Sequence, residues 1–332
     1  MGGGSSAIPP IGMGTMNRSI VTSNRILRLA LLSPAVLVLT LTTLVPILYM
    51  VVSSLYRLDP VLFNRTWPFV GLGNYVDVLT KDPMFWSSMQ KTVLFLLYTI
   101  TPQIAVGMFL AVFLFREFKG KALVQTLMLF PILTTPVVIS MIWKYFFDFD
   151  TGFLNVLLIK LGLPPQTWLS TKGFSFITGI PGIGPWIAST LSLNWAFASI
   201  VFVNFWQWAP FCFLVFYAGL TALPLEVFDA CRVDGATRWQ TFRFVTLPLL
   251  RSVVWIVVFL RIIDCLKVYA QIWVIFGNAE PTRIINVHLY TIGFTMSDYG
   301  RASALGVITL FFIALILLGN YLLGGKSHES SV

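Results

Sequence analysis

Charged residues are scarce in this sequence. Asp, Glu, Lys and Arg make up 11% of its 332 residues, whereas hydrophobic residues make up 57%. A soluble globular domain carries about 25% charged residues, so the composition excludes that class and indicates an integral protein of the lipid bilayer. The net charge of +9 does not indicate nucleic acid as a partner, because the Lys and Arg residues are spread among the ends of the apolar segments.

Cysteine and histidine are also rare. Cys212, Cys231 and Cys265 show no paired spacing and no C-x-x-C motif, so the sequence predicts neither a disulfide framework nor a zinc site. The only histidines are His288 and His328. A membrane-embedded enzyme acting on a lipid-linked or glycosidic substrate would need an exposed carboxylate pair or a histidine cluster, and the sequence does not favour that hypothesis.

A nucleotide-binding motif is missing as well. Gly325-Lys326-Ser327 resembles the end of a G-x-x-x-x-G-K-[ST] loop, but Asn320 occupies the position of the first glycine and no strand precedes it. We therefore expect this chain to bind no cofactor and to have no ATPase site of its own.

Long apolar runs, in contrast, are abundant. Six of them are long enough for an α-helix to cross a bilayer, which takes about 20 residues; they cover residues 29–56, 92–115, 122–143, 198–222, 252–276 and 302–323. The fold class predicted is an all-α integral membrane protein with six transmembrane helices. Residues 1–28 are expected to form a disordered cytoplasmic head, residues 324–332 a cytoplasmic tail, and the Gly- and Pro-rich residues 151–195 a membrane-surface loop.

The distribution of Lys and Arg predicts the orientation of these helices. With the amino end inside, the inner loops are much shorter than the outer ones and carry more Lys and Arg per residue. Short loops rich in these residues stay in the cytoplasm. Both chain ends and the loop at residues 223–251 are therefore expected to be cytoplasmic.

The loop at residues 223–251 has the densest mixture of charges in the chain. Pro224 is expected to open a short amphipathic helix that Gly235 ends. A second amphipathic stretch should follow until Pro248 stops it. The loop thus predicts two short helices joined by a glycine elbow, and its candidate functional residues are Glu226, Asp229, Ala230, Arg232, Gly235 and Pro248.

This loop resembles the EAA loop of bacterial ABC-importer permeases of the carbohydrate-uptake, maltose-transporter-like family. The resemblance lies in Asp229-Ala230-Cys231, Gly235 and Leu247-Pro248, and it extends to Trp206-x-x-x-Pro210-Phe211 and to residues 259–269 in the flanking helices. The sequence departs from the family pattern at Asp229, which replaces the usual Glu, and at Cys231, which replaces the second Ala.

The resemblance implies a type I ABC importer permease fold in the bacterial cytoplasmic (inner) membrane. It implies that the first short helix of the loop is a coupling helix that docks on an ATPase subunit. The partners it implies are a second, paralogous permease subunit, two ATP-binding cassette ATPase subunits that bind ATP and Mg²⁺, and an extracytoplasmic solute-binding protein.

Charged residues interrupt the fifth predicted span. Arg261, Asp264 and Lys267 occur at i, i+3 and i+6 and cannot all reach one membrane surface. A charge at the bilayer centre costs about 2.5–3.5 kcal/mol on insertion scales, so these groups must face a cavity or a partner helix. One interpretation is a polar wall of a solute pathway; the other is a structural network in which Asp264 neutralises both cations. The sequence leaves both open.

The fourth predicted span contains amides beside indole rings. Pro210 is expected to break this helix, and such a break is tolerated where the helix lines a cavity or packs on protein. Amides and aromatic faces together suit a sugar, although simple core packing is the alternative. The resemblance implies a solute site on the middle of the fourth and fifth spans; the candidate pathway residues are Asn204, Gln207, Trp208, Phe211, Arg261, Asp264, Lys267 and Tyr269.

These features lead to a permease subunit of an ATP-driven, binding-protein-dependent importer that moves a sugar or related hydroxylated solute by alternating access. A polyol, glycoside, glycerol phosphate or sulfosugar fits equally well. The alternative is an ion-coupled secondary transporter that uses Arg261, Asp264 and Lys267. That alternative predicts an internal inverted repeat, and none is apparent in the sequence.

Overall fold

The structure is a computed structural model that describes residues 16–58, 67–115 and 118–325. Within these ranges the regular secondary structure is helical, and pairing of extended segments is confined to two isolated bridges. The α-helices are α1 (Met16–Ser53), α2 (Gly73–Val76), α3 (Pro83–Leu114), α4 (Lys121–Leu133), α5 (Pro136–Phe146), α6 (Phe153–Lys160), α7 (Ser175–Thr178), α8 (Gly184–Thr190), α9 (Trp195–Thr221), α10 (Leu225–Val233), α11 (Arg238–Thr241), α12 (Leu247–Leu249), α13 (Arg251–Leu266), α14 (Ala270–Phe276), α15 (Ile285–Tyr290) and α16 (Tyr299–Gly325). Short π-helices cover Asp77–Lys81, Phe242–Thr246 and Thr291–Thr295, and a 3-10 turn covers Glu280–Thr282.

Four helices of the described residues, α1, α3, α9 and α16, are long and apolar enough to cross a membrane. The helices α4 and α5 form a fifth candidate if they count as one span, but they are bent by 99° at the break between them. Thr134 is extended there, and Pro136 begins α5, a position that proline favours. The predicted all-α membrane architecture is present, whereas the count of six spans is not confirmed.

The predicted span at residues 252–276 does not form one helix. Helix α13 ends at Leu266 and α14 begins only at Ala270, which leaves backbone carbonyls without helical partners. The Nδ2 atom of Asn286 donates hydrogen bonds to the carbonyl oxygens of Leu266, at 2.6 Å, and of Val268, at 3.3 Å. This side chain stabilises the break, because an unpaired carbonyl at membrane depth costs several kcal/mol.

The fourth predicted span, in contrast, is not broken. Helix α9 runs without interruption from Trp195 to Thr221, and Pro210 lies inside it as a buried residue. Its start is fixed by Asn194, whose side-chain oxygen accepts a hydrogen bond from the Phe197 amide at 2.8 Å. The expectation of a helix break at Pro210 was wrong.

Two further helices extend beyond the predicted limits of their apolar runs. Helix α3 begins at Pro83, nine residues before the predicted start, because Asp82 caps it by accepting from the Met84 amide at 2.9 Å. Helix α1 begins at Met16, so residues 16–28 are helical rather than a disordered head. The rest of the predicted head, residues 1–15, and the tail from 326 onwards lie outside the described residues.

Helices α3 and α9 pack closely against each other in the core. A Cβ atom at Gly107 would lie 2.6 Å from the Cβ of Cys212 and 2.9 Å from the backbone nitrogen of Phe213. The two helices therefore approach so closely that only glycine fits at this position. Buried side chains from both helices, among them Phe95 and Phe216, continue the core on either side of the contact.

The connecting segments gather at two opposite ends of the bundle. At one end Tyr299 donates its amide to the carbonyl of Leu58 at 3.0 Å, and Lys91 lies 2.5 Å from Glu280. At the other end the ring of Phe115 contacts that of Phe228 at 5.9 Å. The loops predicted to be extracytoplasmic therefore lie at one end and those predicted to be cytoplasmic at the other. This arrangement is expected for spanning helices that alternate in direction.

Candidate functional site

A network of buried polar side chains lies at the break between α13 and α14. Its members come from four helices, α3, α9, α13 and α14, and in the folded chain they surround one cation. All of its members are almost completely buried, and they are Gln103, Asn204, Gln207, Arg261 and Gln271. Polar groups at this depth are tolerated only with hydrogen-bond partners, so the pairing of each one decides what the network can do.

Arg261 lies at the centre of this network and is 0% exposed. Its Nε atom donates to the Oε1 atom of Gln103 at 2.9 Å, and a terminal nitrogen lies 3.4 Å from the Oδ1 atom of Asn204. The other terminal nitrogen contacts the carboxylate of Asp264 at 3.2 Å, and the guanidinium stands over the ring of Trp208 at 4.6 Å from the ring centroid. One buried cation is thus shared among two amides, one carboxylate and one indole face.

The amides continue the network across the helix break. The Nδ2 atom of Asn204 donates to the Oε1 atom of Gln271 at 2.8 Å, and the amide of Gln271 donates in turn to Gln207. The chain of bonds ends where Gln207 donates to the backbone carbonyl of Thr134 at 3.1 Å, at the bend between α4 and α5. The two interrupted helical segments of the fold are therefore joined by one run of side-chain hydrogen bonds.

Six of the eight predicted pathway residues lie beside one another, and they differ in exposure. Asn204, Gln207 and Arg261 are buried, whereas Trp208, Phe211 and Asp264 are half-buried beside them. Asp264 keeps 37% of its side-chain surface exposed. The structure therefore brings these six residues together and leaves the last three partly exposed.

Lys267 and Tyr269 lie apart from that cluster. Lys267 is exposed at the end of α13, and among the described residues it forms no ion pair with Asp264, so Asp264 does not satisfy both cations as one interpretation expected. Tyr269 belongs to a separate aromatic group, with its ring 5.6 Å from that of Trp273 and 4.8 Å from that of Tyr290. Tyr290 in turn stacks on Phe294 at 4.9 Å.

Sequence reasoning missed Gln103, Gln271 and Asn286. A single amide inside a long apolar run is the signal that could have identified Gln103, because such a group needs a partner at membrane depth. The same argument applies to Gln271. Asn286 gave no such signal, because its role arises from the helix break that it stabilises.

The segment at residues 223–251 forms the predicted two short helices with a glycine elbow. All six of its candidate residues, Glu226, Asp229, Ala230, Arg232, Gly235 and Pro248, are exposed, and α10 has no buried residue. Gly235 has a φ of +69°, a left-handed conformation that favours glycine. Asp229 and Arg232 pair with each other at 2.8 Å, and among the described residues neither forms an ion pair with another part of the chain.

The end of this segment differs from the prediction. Pro248 does not stop the second short helix; it lies within α12, after a π-helical turn over Phe242–Thr246. Proline is tolerated there because it occupies the first turn after that widened segment. The helical path continues through Leu250 into α13, so the loop connects directly to the helix that carries Arg261.

At the opposite end of the bundle, a buried pair joins α15 to α3. The Nε2 atom of His288 lies 2.7 Å from the Oδ2 atom of Asp82. Burial lowers the pKa of His288, an effect that outweighs the opposing influence of the Asp82 carboxylate. No cluster of three or more potential metal ligands occurs among the residues that the structure describes.

Residues 103–325 match a family profile described as the binding-protein-dependent transport system inner membrane component. This match covers more than half of the chain and includes both the polar network and the segment at residues 223–251. The chain belongs to this family.

Individual members of the family align over most of their length. The chain is 32% identical over 285 residues to the probable ABC transporter permease protein y4oQ of Sinorhizobium fredii, which covers 85% of each chain. It is 29% identical to the trehalose/maltose transport system permease protein MalF of Thermococcus litoralis, over 84% of this chain and 87% of that one. The chain is therefore a permease component of an inner-membrane ABC transport system, and its relatives are permease subunits rather than ATPases.

A solved structure has the same fold as this permease. It belongs to a bacterial ABC transporter involved in the import of the acidic polysaccharide alginate, and it matches with a TM-score of 0.75 over 93% of this chain and 99% of that chain at 19% identity. The likeness shows that the two chains share one fold over nearly their whole lengths.

Proposed function

We propose that this permease carries a sugar or a related hydroxylated solute into the cell by alternating access, driven by ATP hydrolysis in partner subunits. The observation that carries the proposal is the family match over residues 103–325, which spans the helices of the polar network. The relative named as a trehalose/maltose permease supports a carbohydrate as the solute. Polyols, glycosides, glycerol phosphate and sulfosugars belong to the same chemical class of hydroxylated solutes.

The partners in this proposal follow from the family description and from the exposed loop. A binding-protein-dependent system requires an extracytoplasmic solute-binding protein, and the energy requires two ATPase subunits that bind ATP and Mg²⁺ on the cytoplasmic side. A second, paralogous permease chain would complete the pathway. The permease itself holds no cofactor, and both of its ends lie in the cytoplasm.

Helix α10 is the proposed coupling helix. Leu225 and Val233 are 64% and 87% exposed, and a short helix with exposed apolar and charged residues suits docking into a groove on another subunit. Glu226, Asp229, Ala230 and Arg232 would contact the ATPase subunit. Gly235 would set the direction of α10, and Pro248 would lie where the loop joins α13.

The solute pathway is proposed along the accessible side of the polar network. A solute cannot reach Arg261, Asn204 or Gln207 in this conformation, because their side chains are buried. These three residues would hold the pathway wall in place, and Trp208, Phe211, Asp264, Lys267 and Tyr269 would face the solute. Indole and phenol rings stack on the C–H faces of sugars, and the carboxylate of Asp264 accepts hydrogen bonds from hydroxyl groups.

Co-purification followed by uptake tests the function. The tagged permease is isolated from its native membrane, the bound proteins are identified by mass spectrometry, and the assembly is placed in liposomes with labelled maltose or trehalose. We expect a P-loop ATPase and a second permease among the bound proteins, and uptake that requires ATP and the binding protein. Uptake by the permease chain alone under an ion gradient would overturn the proposal.

Charge reversal tests the coupling helix in the same liposomes. Asp229→Lys should abolish uptake and the stimulation of ATP hydrolysis by the binding protein, while the chain still inserts. Asp150→Lys is the matched control, because Asp150 is an exposed carboxylate distant in sequence from this loop. Unchanged uptake in the Asp229 variant would show that α10 does not couple.

A further inference from the structure

A large apolar cavity lies beside the proposed coupling loop. It has a volume of about 740 Å³. It lies between the carboxyl-terminal half of α3, the part of the loop after Gly235 and the start of α13. Phe109 and Phe113 line it from α3, Trp239 and Phe242 from the loop, and Val254 from α13. Sites that bind small molecules in proteins have volumes of about 300–1,000 Å³, so the cavity is large enough to hold a ligand.

The lining of this cavity has the chemistry of an amphiphile site. Of the described residues that line it, only Arg238 is charged. Trp239 is 64% exposed beside it, and indole rings in membrane proteins concentrate at the level of the lipid headgroups. An apolar interior with one cation and one tryptophan fits a molecule with a hydrocarbon chain and an anionic head.

Arg238 is available for such a head. Among the described residues it has no ion-pair partner, whereas Arg232 in the same loop is paired with Asp229 at 2.8 Å. An exposed arginine next to an apolar cavity can bind the phosphate of an amphiphile, because its planar guanidinium donates two hydrogen bonds to one phosphate group. Basic pockets between spanning helices on the cytoplasmic side are sites where anionic lipid headgroups bind.

We propose that this cavity binds an anionic phospholipid, with an acyl chain against Phe109 and Phe113 and the phosphate at Arg238. A phospholipid fits this site better than a segment of a partner chain does, because its phosphate matches the charge of Arg238. The surrounding bilayer also provides phosphate groups and hydrocarbon chains together at this depth. Such a lipid would hold the second part of the loop, after the Gly235 elbow, against α3. It would make coupling sensitive to the lipid composition of the membrane.

Native mass spectrometry of the full-length chain in detergent tests this site. The chain is titrated with phosphatidylglycerol and with phosphatidylcholine that carry the same acyl chains. We expect tighter retention of phosphatidylglycerol. Arg238→Gln should lower the apparent affinity for phosphatidylglycerol about fivefold, as expected for the loss of one basic residue near anionic lipid, and leave phosphatidylcholine unchanged. Lys160→Gln removes an exposed cation from α6 and should change neither.

A second variant tests the apolar part of the site. Ala105 is exposed and lines the cavity, so Ala105→Trp should fill part of its volume and weaken the retention of both lipids. Ala122→Trp places the same ring on an exposed position of α4, outside the lining residues, and should have no effect. The readout is lipid retention and needs no transport, so its failure would be distinguishable from failure of the proposed importer function.

Three results would overturn the proposal. One is equal retention of the two lipids by the unaltered chain, and another is an Arg238→Gln variant that keeps full affinity for phosphatidylglycerol. The third concerns the co-purified assembly, measured in the same way. Loss of phosphatidylglycerol retention in the assembly would show that a partner subunit fills the cavity, whereas retention would support the lipid.

Discussion

Replacement of Arg261 by methionine is the most direct test of the buried network. The change removes the guanidinium and keeps an apolar chain of similar length. It leaves the Oε1 atom of Gln103 without its donor at 2.9 Å and removes the cation over the ring of Trp208. An unsatisfied buried polar group costs about 1–3 kcal/mol, and a desolvated cation–π contact contributes up to about 2 kcal/mol.

The ion pair with Asp264 contributes less to the free energy of unfolding than these two contacts do. Asp264 keeps 37% of its side-chain surface exposed, so its carboxylate regains water when Arg261 is removed. Hydrogen bonds between the helices of a membrane protein have coupling energies that average about 0.6 kcal/mol. We therefore expect Arg261→Met to lower the free energy of unfolding by about 2–4 kcal/mol.

The assay is unfolding of the purified chain by sodium dodecyl sulfate in mixed micelles, followed by tryptophan fluorescence. A double-mutant cycle with Gln103→Leu isolates the contact, and we expect a coupling energy between the two positions of about 0.6–1.7 kcal/mol. Lys160→Met is the matched control, because it replaces an exposed cation by the same residue.

A loss below about 0.5 kcal/mol with no coupling to Gln103 would refute this reasoning, since a surface substitution has that size. The unaltered and variant chains should also be compared in uptake. If Arg261→Met raised the KM for the solute without lowering stability, the guanidinium would contact the solute in another conformation rather than hold the helices together.

Three further substitutions test other parts of the fold by the same unfolding assay. Gly107→Ala should lower the free energy of unfolding by about 1–3 kcal/mol, because its Cβ would lie 2.6 Å from that of Cys212. Gly319→Ala is the control and should not lower it, because no atom lies within 4 Å of the added Cβ. Equal effects of the two substitutions would contradict the close contact between α3 and α9. Asn286→Leu should lower the free energy of unfolding by about 1–3 kcal/mol, because it leaves two carbonyls at the helix break unpaired. An unchanged stability would show that water replaces the amide. The pKa of His288 is lowered below its ordinary value of 6.5, so the unfolded chain binds the proton more readily, and stability should fall as pH decreases from about 7.5 to 5.5. His288→Asn should remove that part of the dependence, and a variant with the same slope would exclude this histidine as its source.

The local features of this permease could be predicted from the sequence because each depends on a contiguous stretch. The apolar runs predicted a helical membrane protein, since a spanning segment must be apolar along its whole length. The glycine elbow at Gly235 was also predicted, because a left-handed residue after a short helix is a local requirement. The resemblance of residues 223–251 gave the family, which the match over residues 103–325 confirms.

The break in the fifth predicted span and the pairing of its charges were decided only by the tertiary structure. Arg261 finds its partner in Gln103, 158 residues earlier in the chain, and the break after Leu266 is stabilised by Asn286, 20 residues later. One of the two interpretations of the helical spacing was that Asp264 neutralises both Arg261 and Lys267, yet Lys267 lies beyond the end of α13 and is exposed. Hydropathy and helical periodicity describe a segment's preference for the membrane, whereas the partner of a buried polar group depends on which helices pack beside it.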